Sequence, residues 1–125
     1  MPPHHPTVLV VEDEAILSLA IRDELMLDGF AVVGPFVSPR GAQEWLVGAR
    51  PDCAVLDFPT SNDDAAAALA EDLIRRGVPV IVVSAFQRET SPVQVSAALW
   101  LKKPATRKAL TSAIRSACAP SAGER

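Results

Sequence analysis

Short apolar blocks that stop on a polar residue recur along this chain. Thr7-Val-Leu-Val-Val11 runs into Glu12-Asp13-Glu14, and Ala31-Val-Val33 stops at Gly34-Pro35. Cys53-Ala-Val-Leu56 ends on Asp57, Val78-Pro-Val-Ile-Val-Val83 ends on Ser84, and Ala98-Leu-Trp-Leu101 leads to Lys102-Lys103-Pro104. Unbroken β-branched and aliphatic runs of this length are the pattern of strands buried on both faces of a parallel sheet. Between them the period changes. Ile16, Leu17, Ala20, Ile21, Met26 and Leu27 approach helical spacing behind an acidic first turn, and Asp28-Gly29 supplies the stop. Ser38-Pro39 opens a second helix, with serine as cap and proline in the first turn, whose apolar face is Ala42, Trp45, Leu46 and Ala49. Trp45 therefore reads as core. A third helix runs from a Ser61-Asn62-Asp63-Asp64 cap to about Arg76 and is ended by Gly77. A last one spans about Ala105 to Ala117. The stretch from Gln87 to Ala97 offers only Val93 and Val95 before Ala97 to bury, so its helix should be short or distorted, within about Pro92 to Ala97.

Five strands alternating with five helices predict an α/β fold with a parallel sheet. The 125 residues suffice for one core, without internal repeat or linker. Met1 to Pro6 reads as a flexible lead whose His4 and His5 are not a metal site, residues 7–118 as the domain, and 119–125 as a tail. A net charge of −3 gives no basic footprint for a nucleic acid. The early apolar run is broken at once by Glu12-Asp13-Glu14, so neither a signal peptide nor a membrane span is expected. Cys53 and Cys118 match no zinc or redox spacing, Cys53 reads as a buried core thiol, and a cytoplasmic setting fits.

In an open parallel sheet, ligands bind beyond the carboxyl ends of the strands. Those ends carry Glu12 and Asp13, then Asp57, then Ser84, then Lys103. If the first and third strands are neighbours, three carboxylates share one rim. Two carboxylates about 4 Å apart repel by roughly 4 kcal/mol at an effective dielectric of ~20, so such a cluster calls for a cation. With hard oxygen donors and no His or Cys nearby, Mg²⁺ is the best match. Asp57 would then be a nucleophile that forms an aspartyl phosphate.

Val8-Leu-Val-Val-Glu-Asp-Glu14, Val55-Leu-Asp57, Val82-Val-Ser-Ala85 and Lys103-Pro104 together resemble the receiver domain of two-component response regulators, over about Thr7 to Ala117. The resemblance implies a flavodoxin-like (βα)5 fold with strand order 2-1-3-4-5. It makes Asp57 the phosphoacceptor, Asp13 a direct Mg²⁺ ligand, Glu12 the second acidic position and Lys103 the phosphate-binding lysine. Ser84 matches the switch hydroxyl, and Phe86 and Trp100 fall at candidate aromatic switch positions. The implied partners are a sensor histidine kinase or histidine phosphotransfer protein and a downstream protein, with no direct nucleic acid or membrane contact. The implied role is a single-domain response regulator in a phosphorelay. Not an enzyme in the usual sense, it would catalyse only its own phosphotransfer and dephosphorylation.

Two departures from the family pattern bear on this. Ser61 stands four residues after Asp57 where proline is usual, and Pro59 would offer its carbonyl to Mg²⁺. Ser84 and Lys103 lie closer than in most receivers, and Ser-Ala-Phe86 is similar to a stand-alone subgroup with a reduced fourth helix. A pseudo-receiver that keeps the fold without phosphotransfer is the alternative. An aspartyl-nucleophile phosphatase would want a second Asp where Pro59 stands. Lys103-Pro104 is expected to be cis, and Lys102, facing away from Lys103 along the strand, to be a solvated lysine.

Overall fold

The computed structural model describes residues 5–57, 64–87 and 98–118. Five strands, β1 (Thr7–Val11), β2 (Ala31–Phe36), β3 (Cys53–Asp57), β4 (Val80–Ser84) and β5 (Leu99–Lys102), pair in parallel in the order 2-1-3-4-5. The helices among the described residues are α1 (Ala15–Leu27), α2 (Pro39–Leu46), α3 (Asp64–Arg75) and α4 (Arg107–Cys118). The expected short helix between β4 and β5, the Ser61 to Asp63 cap and Pro59 lie outside the described residues.

The apolar runs become central strands because both faces of each are covered. Leu9, Val11, Ala54, Leu56, Val80 and Val82 point to one face and pack with Ala42 and Leu46 of α2 and with Ala66, Leu69, Ala70 and Leu73 of α3. Val8, Val10, Cys53, Val55 and Ile81 point to the other and pack with Leu25 of α1 and Ala113 and Ile114 of α4. Strand alternation therefore assigns every second residue of β1 and β3 to each half of the core. Long-range polar ties close the edges. Asp52 accepts the Thr7 N–H at 2.7 Å while its own N–H donates to Thr7 O. Arg76 reaches the Leu46 carbonyl at the end of α2, and Arg50 reaches the Gly77 carbonyl past the end of α3.

Several expectations are corrected in detail. β2 does not stop at Val33. It continues through Gly34-Pro35 to Phe36, with a register shift on β1 between Leu9 and Val11. As an edge strand it tolerates a residue without an N–H. The Gly34–Pro35 peptide is cis, as is Lys103–Pro104. α2 ends at Leu46, so Ala49 lies beyond it and is exposed, while Trp45 packs against the core as expected. The end of the lead is held: His5 Nδ1 lies 3.0 Å from Gly29 O, and Pro6 O accepts the Ala31 N–H, extending the β1–β2 ladder.

The largest correction concerns α1. No acidic residue lies in its first turn, and the residues facing the sheet are Ser18 and Leu25, with Ile21 partly buried. Ile16 is 87% exposed and Leu27 77%, and Leu17, Leu19 and Met26 are exposed too. The sheet takes the 18-21-25 stripe, and the denser apolar stripe turns outward. Ser18 is accommodated because its hydroxyl donates back to Ala15 O at 2.7 Å.

The last turn of α1 is joined to α4 through Asp28. Arg107 donates to both Asp28 oxygens (2.7 and 3.2 Å), Thr111 donates to Oδ2 at 2.7 Å, and Arg115 donates to the Asp28 carbonyl. Hydrogen bonds from Arg107 and then Thr111 hold this carboxyl down to about 2, from the usual 3.8. A depressed folded-state pKa means stability that is present above the unfolded value and lost as pH falls from about 4 toward 2. Asp28→Asn should therefore destabilise the domain at neutral pH, and its difference from wild type should close across that acid window. Urea midpoints measured against pH check this; a difference that persists unchanged below pH 2 would refute it.

Candidate functional site

The β1–β3 register builds the site. Val8 pairs with Cys53 and Val11 with Leu56, so one step further sets Glu12 beside Asp57 on neighbouring parallel strands. Such strands lie about 4.8 Å apart, which puts the two carboxyls in mutual reach. Asp57 is the last residue of β3, and its own partner on β4 is Val83. Lys103 leaves the end of β5, with its N–H donating to Ser84 O, and returns its ammonium to Asp57 Oδ1 at 2.8 Å. The Asp57 side chain is 9% exposed and that of Lys103 39%.

Glu12 is the most constrained member. It is 2% exposed, it is hydrogen-bonded to Asp57 and Asp13, and its Oε2 is buried without a partner among the described residues. Burial first, and then the hydrogen bond and charge of Asp57, push its carboxyl from the usual 4.5 up to about 8. Lys103 opposes that shift but does not cancel it. The Lys103 ammonium is pulled down by its own burial, yet contact with Asp57, reinforced by Glu12 and Asp13, leaves it raised overall. Both shifts have one physical origin: carboxyls crowded at a buried strand end, with Lys103 as the cation that offsets part of their repulsion.

The expected residues are not all gathered equally. Glu12, Asp57 and Lys103 converge, and exposed Asp13 touches Glu12. Ser84 is fully buried, and its hydroxyl accepts the Phe86 N–H at 3.1 Å instead of joining the carboxylate cluster. Trp100, partly buried, donates its Nε1–H to Phe86 O at 2.8 Å. This bond between the loop after β4 and the edge strand is one that sequence could not signal. Lys102 is exposed, as expected.

Among the described residues no three carboxyl, imidazole or thiol groups close on one point as a finished metal cage. The orphaned Glu12 Oε2, crowded against Asp57, nevertheless fits a divalent cation. A half-open edge of carboxylates suits Mg²⁺, which keeps several waters and needs only one or two carboxylates. A cavity of about 500 Å³ also opens beside Asp57, between Leu17 and Ile21 of α1, Val55 of β3 and Leu110 of α4. No motif announced it, because its lining comes from β3, α1 and α4, which only the fold brings together.

No protein-family profile matches the chain. Among curated proteins it is 28% identical over 81 residues to the transcriptional regulatory protein PdtaR of Mycobacterium tuberculosis. That match covers 65% of this chain and 40% of PdtaR, so the chain spans well under half of that relative. Among solved structures, a response regulator receiver protein from Sinorhizobium medicae superposes with a TM-score of 0.78 at 28% identity, covering 92% of this chain and 95% of that one. Response regulator TrrA of Thermotoga maritima, solved in complex with Mg²⁺-BeF, superposes with a TM-score of 0.75 at 17% identity, covering 90% and 98%.

The raised pKa of Glu12 has a testable sign. The folded state keeps a proton that the unfolded state releases near 4.5, so metal-free stability should fall as pH rises from about 4.5 through about 8. Glu12→Gln should flatten that decline. Urea melts in EDTA from pH 5 to 9 make the measurement, and an unchanged slope in the variant would contradict the assignment.

Proposed function

This chain is a receiver domain of two-component signalling, and on that premise we propose that it accepts a phosphoryl group on Asp57 in a phosphorelay. The observation that carries the reading is the 2.8 Å contact of Lys103 Nζ with Asp57 Oδ1, set beside the buried, half-paired Glu12. One nucleophilic carboxylate and one fixed cation thus stand at the carboxyl edge of a parallel sheet, where such sheets bind ligands.

The donor in this reading is a phosphohistidine of a sensor kinase or of a histidine phosphotransfer protein. An Asp57 oxygen attacks phosphorus in line, the N–P bond breaks, and the imidazole leaves with its electron pair. Lys103 follows the charge from the carboxylate to the phosphoryl oxygens, so its ammonium is in place without further reorganisation. Glu12, Asp13 and Asp57 would hold Mg²⁺, together with the Pro59 carbonyl, which lies outside the described residues. The ion would supply the positive charge that the equatorial oxygens require. The Lys103 contact with Asp57, beside the half-paired Glu12, favours phosphotransfer over a pseudo-receiver.

Output in this reading passes through Ser84, Phe86 and Trp100 to a downstream protein partner. The Ser84 hydroxyl accepts the Phe86 N–H and has its own hydrogen to donate toward a phosphoryl group on Asp57. Phe86 O is the acceptor of the Trp100 indole, so a shift of Ser84 is felt along this chain. Among the described residues no helix is long and apolar enough to cross a membrane.

Incubation with acetyl phosphate should add one phosphoryl group to the intact mass in Mg²⁺ and none in EDTA. Asp57→Asn should abolish the addition, and Lys103→Ala should slow it at least tenfold, as expected for loss of a charge-stabilising donor, often ~10²-fold or more. Labelling of Asp57→Asn at the wild-type rate would end the proposal.

The switch path has its own readout. In a Trp45→Phe background Trp100 is the remaining tryptophan. Its fluorescence should change when beryllofluoride and Mg²⁺ are added, and Ser84→Ala should suppress the change. A signal that persists in Ser84→Ala would disconnect Ser84 from Trp100.

A further inference from the structure

The two cysteines, 65 positions apart in sequence (118 − 53), meet in the fold. Cys53 opens β3 with no exposed surface, and its side chain lies on the face that α4 covers through Ala113 and Ile114. Cys118 is the last residue of α4, half-buried against the same cluster, and close enough to Cys53 for each thiol to shift the other's ionisation. Both thiols are free. By strand alternation Cys53 shares its face with Val55 and Asp57. The pair therefore joins α4 to the strand that carries the candidate phosphoacceptor, at that strand's opposite end.

We propose that Cys53 and Cys118 form a peroxide-sensitive pair that closes to an intramolecular disulfide and staples the end of α4 to β3. The electrostatics distribute the roles. The hydrogen bond with Cys118, and then burial, push the Cys53 thiol up, while the same hydrogen bond lowers Cys118. Cys53 is fully enclosed and Cys118 is half-buried at a helix end, so Cys118 is the sulfur that peroxide reaches first. The thiolate is the reactive species toward hydroperoxides, and its reactivity follows exposure. Cys118 attacks one oxygen of hydrogen peroxide, the O–O bond breaks, and the departing hydroxide takes a proton to become water. Cys118 is left as a sulfenic acid. The Cys53 sulfur then attacks the Cys118 sulfur, the S–O bond breaks, and the hydroxide leaves as water with the proton from Cys53. Overall two thiols are oxidised to one disulfide while one peroxide is reduced to two waters. The last helical residue, at the end of α4, is the side that can shift to close the bond. Nothing in this chemistry depends on phosphotransfer at Asp57, so the two readings stand or fall separately.

The test treats the full chain with hydrogen peroxide, quenches with iodoacetamide under denaturing, non-reducing conditions, and weighs the intact protein. The expected product is monomeric, lighter by two hydrogens, closed to alkylation at both cysteines, and restored by dithiothreitol. Proteolytic mapping should recover the Cys53 and Cys118 peptides as one linked species. Amide exchange in the last turn of α4 should be severalfold slower in the oxidised chain. Cys118→Ser, at a half-buried helix end, should abolish the product. Cys53→Ala should leave Cys118 at the sulfenic acid, trapped by dimedone. The proposal is overturned if peroxide leaves Cys53 open to alkylation in the wild-type chain. It is equally overturned if Cys118 gains oxygen without losing hydrogens, or if the disulfide joins two chains.

Discussion

Everything at the carboxyl edge of this sheet depends on the register of two strands. Because Val8 pairs with Cys53 and Val11 with Leu56, Glu12 must stand beside Asp57. The backbone ladder and the apolar layers on both faces hold that register, since a slip of one residue would turn each buried side chain to the opposite face. Two carboxyls are thereby forced together where water is scarce, and Glu12 is left with an unpaired buried oxygen. Lys103 meets part of the imbalance through Asp57. The remainder is an excess of negative charge, the kind of imbalance that a divalent cation offsets.

The same layered construction separates support from signalling. The α2–α3 side of the sheet is densely apolar, with Leu46, Leu69 and Leu73 buried. The α1–α4 side is looser: a cavity opens beside Asp57, Asp28 ties the end of α1 to α4 by polar contacts, and α1 turns Ile16, Leu19 and Leu27 to solvent. Large exposed apolar side chains gathered on one helix are the usual mark of an interaction surface. On this side of the molecule the groups that would do chemistry lie close to the groups that could meet another protein.

β3 links the two inferences. Its carboxyl end presents Asp57, and its amino end buries Cys53 against the last residue of α4. One five-residue strand thus carries a candidate phosphoryl acceptor and a candidate redox partner on the same face. Both contact the segment that follows β5: Lys103 at its start and Cys118 at its end.

The sequence by itself determined the elements whose cause is local. Unbroken aliphatic runs specify the buried strands, Ser38-Pro39 starts α2, and Gly29 and Gly77, both at positive φ, end α1 and α3. The polar residue closing each run also showed which side chains would reach the sheet rim, because a strand's end is set by where its apolar pattern stops. Only the tertiary structure decided what depends on neighbours. The rotation of α1 is not encoded locally, because its apolar residues could satisfy either face, and packing chose Ser18 and Leu25. β2 outran its Gly34-Pro35 stop because an edge strand has no partner on its outer side to require the missing N–H. The burial of Glu12, the indole bond to Phe86 and the meeting of Cys53 with Cys118 join residues far apart in sequence or set by the register of separate strands. No local pattern encodes such a distance; it is settled when the sheet and helix layers close on one another.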